Sequence, residues 1–226
     1  MKLVDAALKE NRRTLSEYES KQILQDYAIP VTSEILVRNE QDLIRASGKI
    51  GFPLVLKACS GEIAHKTEKS LIRVDVRNQE EALKAFEDIM AGMDNADKSV
   101  LVQQMVKGQR ELVVGMNRDP QFGPCVMFGL GGIFTEVLND TVFRVAPLEK
   151  EDAFEMMQEI RGRKILDAVR GMDLADKGKL ADILINVGRI GIENETIKEI
   201  DINPIILSEG KPVAVDALIV LEGNGI

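Results

Sequence analysis

Three oxygen-bearing side chains near the C-terminal end of the chain are spaced to work together: Asp201, Asn203 and Asp216. They fall in the run Glu199–Asp216, where apolar Ile200, Ile202 and Ile205, then Val213 and Val215, alternate with polar residues. Such alternation is the period-2 signature of a half-buried strand. Ser208-Glu209-Gly210-Lys211-Pro212 supplies turn residues between the two runs, so the stretch is predicted to be a β-hairpin. Asp201 and Asn203 then share a face, and Asp216 returns opposite them. A hard cation suits such a group, because Mg²⁺ takes one or two carboxylates and completes its octahedron with phosphate oxygens and water. Solvated acids on a strand face are the competing account.

Further candidates precede this hairpin. Lys57 ends the apolar run Leu54-Val55-Leu56, which is too apolar to face water on both sides. A lysine there either snorkels outward or meets a counter-charge, and a nucleotide phosphate is one. The loop from Cys59 to Ser70 carries His65-Lys66-Thr67, and His65 is the only histidine of the chain. A nitrogen nucleophile beside a cation and a hydroxyl is suited to receiving a phosphoryl group, although a single loop histidine is often a bystander. Gly129, Gly131 and Gly132 end an apolar strand, and glycine lets backbone N–H groups approach an anion closely. A tight bulge explains the same glycines equally well. Glu136 and Arg144 flank the hairpin that follows. Gln103-Gln104-Met105 ends another strand; with Lys107-Gly108-Gln109 as a turn, Arg110–Met116 is predicted to return as its hairpin partner. An exposed strand edge there, with Gln103 and Glu111, could hold an adenine edge and a ribose hydroxyl.

The elements that position these groups follow from caps and periodicity. Ser16-Glu17-Tyr18-Glu19 opens a helix carrying Ile23, Leu24 and Tyr27, which stops before Pro30. A strand over Ser33–Arg38, a helix from Asn39 with Leu43, Ile44 and Ala46 inward, the Lys57 strand, a strand over Leu71–Arg77 and a helix after Asn78 make a β-α-β-β-α unit. Beyond the glycines, Lys150–Arg161, Lys164–Val169 and Lys177–Ile192 have helical periodicity and are expected to cover a sheet.

At 226 residues the chain can bury one large core or two lobes, and its formal charge of −8 argues against nucleic acid as a partner. Its two cysteines lie far apart and resemble thiols in a reducing compartment. No apolar run is long enough to span a bilayer, and a soluble, cytoplasmic protein is expected.

Taken together, Lys57, His65-Lys66-Thr67, Gln103 with Glu111, Gly129-Leu-Gly-Gly-Ile-Phe-Thr-Glu136, Phe143-Arg144-Val-Ala-Pro-Leu and Asp201-Ile-Asn203-Pro204 with Asp216 resemble the ATP-grasp domain of NDP-forming acyl-CoA synthetases, in particular the β subunits of the ADP-forming acetyl-CoA synthetases. The resemblance runs from Leu15 to Leu221. It implies an α+β, ATP-grasp fold in which two lobes sandwich a nucleotide, one domain over residues 1–226 with a small lobe at about 28–100 and a large lobe of about 1–27 plus 101–226. It implies ATP or ADP and Mg²⁺ as ligands. Lys57 would contact phosphates, Gln103, Gln104 and Met105 the adenine, Glu111 the ribose. Gly131, Gly132, Glu136 and Arg144 would lie near the phosphates, Asn203 and Asp216 would hold Mg²⁺ with Asp201 nearby, and His65 would relay a phosphoryl group. The implied reaction is acyl-CoA + ADP + phosphate ⇌ acid + CoA + ATP. A CoA-binding α subunit is the implied partner, in an α₂β₂ assembly. Two residues depart from the resembling proteins: Ser70-Leu71 replaces a Gly-Gly pair, and Ala28 replaces glycine before Ile-Pro. A carboxylate–amine ligase and a nucleotide-sensing regulatory subunit are the alternatives; the His65 loop argues against the first, and intact His65, Asn203 and Asp216 against the second.

Overall fold

The computed structural model describes residues 2–59, 71–93, 98–132, 140–168 and 171–222. Its backbone forms two compact units. One comprises residues 1–15, 19–31 and 106–226, the other residues 16–18 and 32–105.

The smaller unit is a four-stranded antiparallel sheet backed by two helices. β1 (Glu34–Val37), β2 (Leu54–Ala58), β3 (Ile72–Val76) and β4 (Val100–Gln104) are ordered β1-β4-β2-β3. Helices α3 (Glu40–Ile50) and α4 (Gln79–Gly92) follow β1 and β3. Both start on an asparagine N-cap: Asn39 accepts the N–H of Asp42, and Asn78 that of Glu81. Leu43, Ala46 and Ser47 form the buried stripe of α3, whereas Ile44, expected inward, is 48% exposed. Its position one residue after Leu43 turns it about 100° away on a 3.6-residue period. Leu54, Leu56, Ala58, Val100 and Val102 pack with Phe86 and Ile89 as one core. The alternate residues Val55, Lys57, Leu101 and Gln103 lie on the other face and are buried too.

The expected hairpin between Gln103 and Glu111 does not form. β4 lies between β1 and β2, and β5 (Glu111–Asp119) belongs to the other sheet, between β6 and β8. A short Gly-containing link joins strands of different sheets as readily as partners in one, and the pairing is settled by which apolar faces meet. β4 therefore offers no exposed edge. At its end the Gln104 N–H donates to Ser33 O at 2.9 Å, and just beyond it the Met105 N–H donates to Pro53 O at 3.4 Å.

In the larger unit β5, β6 (Gly123–Leu130), β7 (Thr141–Val145), β8 (Ile197–Ser208) and β10 (Leu218–Leu221) form a sheet ordered β10-β8-β5-β6-β7, with β9 (Lys211–Ala214) also paired to β8. Leu112, Val114, Met116, Val126, Phe128, Ile200, Ile202 and Ile219 point to one face. There they pack with residues of α1 (Lys2–Lys9), α2 (Glu17–Asp26), α5 (Lys150–Glu159) and α6 (Lys177–Glu193). The segment expected to be helical at Lys164–Val169 is a 3₁₀ turn over Arg163–Leu166. Arg110, 4% exposed, holds the chain beyond that turn by donating to the carbonyls of Ile165, Asp167 and Asp173. Arg118 likewise closes the end of α6 on the carbonyls of Gly191, Asn194 and Ile197.

Among the described residues, no helix is long and apolar enough to cross a membrane.

Candidate functional site

The expected hairpin at the C-terminal end forms, with an addition that alternation alone does not reveal. β8 is long enough to pair twice: Ile205–Ser208 with β9, and Ile197–Asp201 with β10. Glu209 and Gly210, both at positive φ, make the turn into β9. Asp216 falls where the chain leaves β9 and has not yet entered β10, and Leu218 pairs with Asp201. The two carboxylates thereby come within electrostatic reach on the face of the sheet away from the helices. Between Ile202 and Ile205 the register against β5 shifts, so Asn203 and Pro204 oppose the single Val113. This bulge inserts one extra residue and keeps both Ile202 and Ile205 in the core while Asn203 stays exposed.

Asp201 is half-buried, and its carboxyl is pushed up to about 6. Burial is the main cause, followed by the negative charges of Glu199 and Asp216. A cation would relieve each cause. Among the described residues, no group of three or more His, Cys, Asp or Glu side chains could enclose a metal ion. Opposite Asp201 on β5 stands Gly115, and a Cβ there would lie 3.0 Å from Ile200 O. The Met127 side chain closes over the same glycine, its Cε 3.2 Å from that Cβ position.

Glu111 and the glycine turn are brought together. The Gly131 N–H donates to Glu111 O at 2.8 Å. Gly132 has φ +62, and a Cβ on it would sit 2.3 Å from Glu111 Oε2. Glycine lets the Glu111 carboxylate lie against the turn, and a side chain there would have to displace it. Asp140, 5% exposed, accepts the N–H groups of Arg161 and Gly162 on its carboxylate, each at 2.7 Å.

Arg144 is not brought to the acid cluster. It pairs with Val126, a core residue, so its side chain lies on the helix-covered face, where its guanidinium binds Glu159 and approaches Glu155 at 3.7 Å. Phe143 and Val145, its neighbours, take the opposite face with Met127 and Cys125. Arg144, expected to flank the hairpin after the glycines, stands at a countable distance from them. It lies three ladder positions further along β7 than Thr141, which pairs with Gly129.

In the smaller unit Lys57 and Gln103 share the face away from α3 and α4: Lys57 pairs with Leu101, and Gln103 with Val55. Gln103 is fully buried, Gln104 is exposed and pairs with Leu54 on the other face, and Met105 is half-buried. Lys57, 5% exposed, does not snorkel outward. Its Nζ donates to Glu17 Oε1 at 2.8 Å, and Glu17 is 3% exposed. Sequence reasoning missed Glu17 by treating it only as part of a capping motif. Its spacing to Ser20, Lys21 and Leu24, all buried, is the signal that marks it as inward-facing. His65 and Glu136 lie outside the described residues.

A family profile described as an ATP-grasp domain matches residues 6–221. The chain belongs to the ATP-grasp family. Two of its relatives are β subunits of similar length. It is 46% identical to the β subunit of acetate–CoA ligase [ADP-forming] I of Pyrococcus furiosus, over 97% of this chain and 96% of that one. To the β subunit of the second such ligase of that organism it is 36% identical, over 99% and 98%. Among solved ATP-grasp relatives, acetyl-coenzyme A synthetase 1 of Candidatus Korarchaeum cryptofilum, in complex with coenzyme A and Ca-AMPCP, superposes with a TM-score of 0.93 at 41% identity, covering 98% of this chain and 99% of that one. The same synthetase with Mg-AMPPCP, its phosphohistidine segment pointing towards the nucleotide-binding site, gives a TM-score of 0.87.

Proposed function

We propose that this ATP-grasp chain is the nucleotide-handling β subunit of an ADP-forming acetate–CoA ligase, catalysing acyl-CoA + ADP + phosphate ⇌ acid + CoA + ATP together with a CoA-binding α subunit, in an α₂β₂ assembly in the cytoplasm. Its end-to-end likeness to β subunits of such ligases carries this reading.

The residues present fit ATP or ADP with Mg²⁺. Asp216 and Asn203 would hold the ion with Asp201 beside them, and the raised Asp201 carboxyl is the feature that a divalent cation would compensate. Bound there, Mg²⁺ supplies positive charge to the phosphate oxygens. Lys57 supplies a further, fixed positive charge, Glu111 a carboxylate for the ribose, and Gly131 and Gly132 a turn with no side chains to obstruct an anion. Gln103 and the backbone of Gln104 and Met105 would line the base, with Glu136 nearer the phosphates. His65 would carry the phosphoryl group. In the ATP-consuming direction a neutral imidazole nitrogen bonds to the γ-phosphorus as the bond to the ADP oxygen breaks; in the other direction a β-phosphate oxygen of ADP takes the group back and neutral His65 is released. Positioning and charge neutralisation provide the acceleration in such transfers. Arg144, engaged by Glu159 on the helix-covered face, is given the task of fastening α5 to β7.

The deciding experiment is incubation with γ-labelled ATP and Mg²⁺, with and without the α partner. Acid-labile, base-stable label that disappears in His65→Ala, while nucleotide still binds, is the expected result. No label in either mixture would overturn the relay and favour a nucleotide-sensing subunit.

A further inference from the structure

The described residues between α5 and α6 are fixed by two buried groups of opposite charge. Asp140 accepts the N–H groups of Arg161 and Gly162, and Arg110 donates to the carbonyls of Ile165, Asp167 and Asp173. Burying an ionised group is costly unless hydrogen bonds compensate it, and both groups direct theirs to the backbone of this one stretch. Its two limbs also meet, the Ala175 N–H donating to Leu166 O at 3.0 Å, and the Asp176 N–H fastens it to the β8–β9 turn on Gly210 O at 2.8 Å. Loops held on a rigid frame in this way present functional side chains. What this one presents is positive. Arg161, Arg163 and Lys164 are exposed and form no ion pair among the described residues; Arg163 donates to a neutral carbonyl, Gln158 O, at 3.0 Å. Asp167, the acid that follows them, is engaged by Lys177 at 3.3 Å. On the returning limb Leu174 is 59% exposed, although the backbone on both sides of it is hydrogen-bonded. An exposed leucine close to a run of cations, on a chain of formal charge −8, has the anatomy of a recognition patch, with an apolar anchor and a charged rim.

We propose that Arg161, Arg163, Lys164 and Leu174 form a docking patch for an acidic surface of the α subunit. This rests on the reading of the chain as a β subunit. Charge decides the kind of partner surface: an acidic one is repelled by the net charge of this chain and attracted at this place, so the patch steers and orients the encounter. The exposure of all three cations suits an extended protein surface. A small anion is held instead by groups that converge on it in a concave site.

The test measures the kinetics with which the full chain binds the CoA-binding α subunit at about 50 and about 300 mM NaCl. The parental association rate is expected to fall about tenfold over that range. The triple variant Arg161→Gln, Arg163→Gln, Lys164→Gln is expected to associate about tenfold more slowly at the lower salt and to lose most of the salt dependence, with dissociation little changed. Leu174→Ala is expected to dissociate about tenfold faster. Both variants should keep parental ATP affinity and melt within about 2 °C of the parent, because the four side chains are exposed. A control, Lys9→Gln, Lys49→Gln, Lys84→Gln, removes the same charge from exposed positions elsewhere and is expected to associate within about twofold of the parent. Equal slowing in the two triple variants would reduce the effect to net charge and overturn the patch. Parental kinetics in the Arg161 triple variant or in Leu174→Ala, with the complex still forming, overturns this proposal alone. A parental chain that does not bind the α subunit at all overturns the β-subunit reading, and the patch with it.

Discussion

Asp201 and Asp216 come within electrostatic reach because β8 pairs with β9 at one end and with β10 at the other, and Asp216 lies in the link between those two strands. The proximity is electrostatically unfavourable. Asp216 and Glu199 both help to raise the Asp201 carboxyl, after burial, to about 6. Without metal, the folded chain thus holds a proton on Asp201 that the unfolded chain releases near pH 4. Stability from this group is fully present below pH 4 and is lost as pH rises to about 6. Asp201→Asn should remove that decline. In metal-free urea melts the variant should gain on the parent by about 2 kcal/mol between pH 4 and pH 7. A difference independent of pH would show that the acids are farther apart than the fold places them.

The same repulsion predicts the pH dependence of cation binding. Mg²⁺ competes with a proton for the acid cluster, so affinity for Mg²⁺ with ATP should fall as pH drops below about 6. Titrations at pH 7.5 and pH 5.5 compare the two states, and Asp201→Asn should flatten the difference. An unchanged pH slope in the variant would assign the titration to another group.

Gly132 and Glu111 support a steric prediction. Since a Cβ on Gly132 would meet Glu111 Oε2 at 2.3 Å and the backbone is at positive φ, Gly132→Ala must displace the carboxylate and strain the turn. A loss of about 1–2 kcal/mol in stability is expected from the backbone alone. Weaker ATP binding should accompany it if Glu111 holds the ribose, and Gly132→Ala with parental affinity would separate Glu111 from the nucleotide.

Ala28 offers the opposite case. It stands at φ +57, a left-handed position favouring glycine, and the departure from glycine noted in the sequence therefore carries a backbone cost. Ala28→Gly should gain about 0.5–1 kcal/mol, the left-handed penalty less the extra chain entropy of glycine. Thermal melting should rise by about 2 °C. No rise would mean that the local backbone relaxes in one of the two proteins.

Arg144→Ala should leave ATP affinity close to parental. Its guanidinium is committed to Glu159 and Glu155 on α5, both partly exposed, so the stability loss should be under about 1 kcal/mol. A large loss of affinity would return Arg144 to the phosphates and contradict its placement.

Much of this protein is determined by local sequence. The alternation of Ile200, Ile202 and Ile205, the turn at Ser208–Pro212, the asparagine caps at Asn39 and Asn78 and the apolar run ending at Lys57 each specify an element through dihedral preference, hydrogen bonding or periodicity over a few residues. The motifs also marked the family, because they survive as short strings. Tertiary structure decided what no short window contains. It placed Gln103 and Glu111 on different sheets, since strand pairing depends on which apolar faces meet and not on the length of the link between them. It turned Arg144 toward α5, because a residue's face follows from its ladder partner Val126. And it supplied the counter-charge of Lys57: Glu17 lies forty residues earlier in the chain, and only the burial of both side chains makes the pair obligatory.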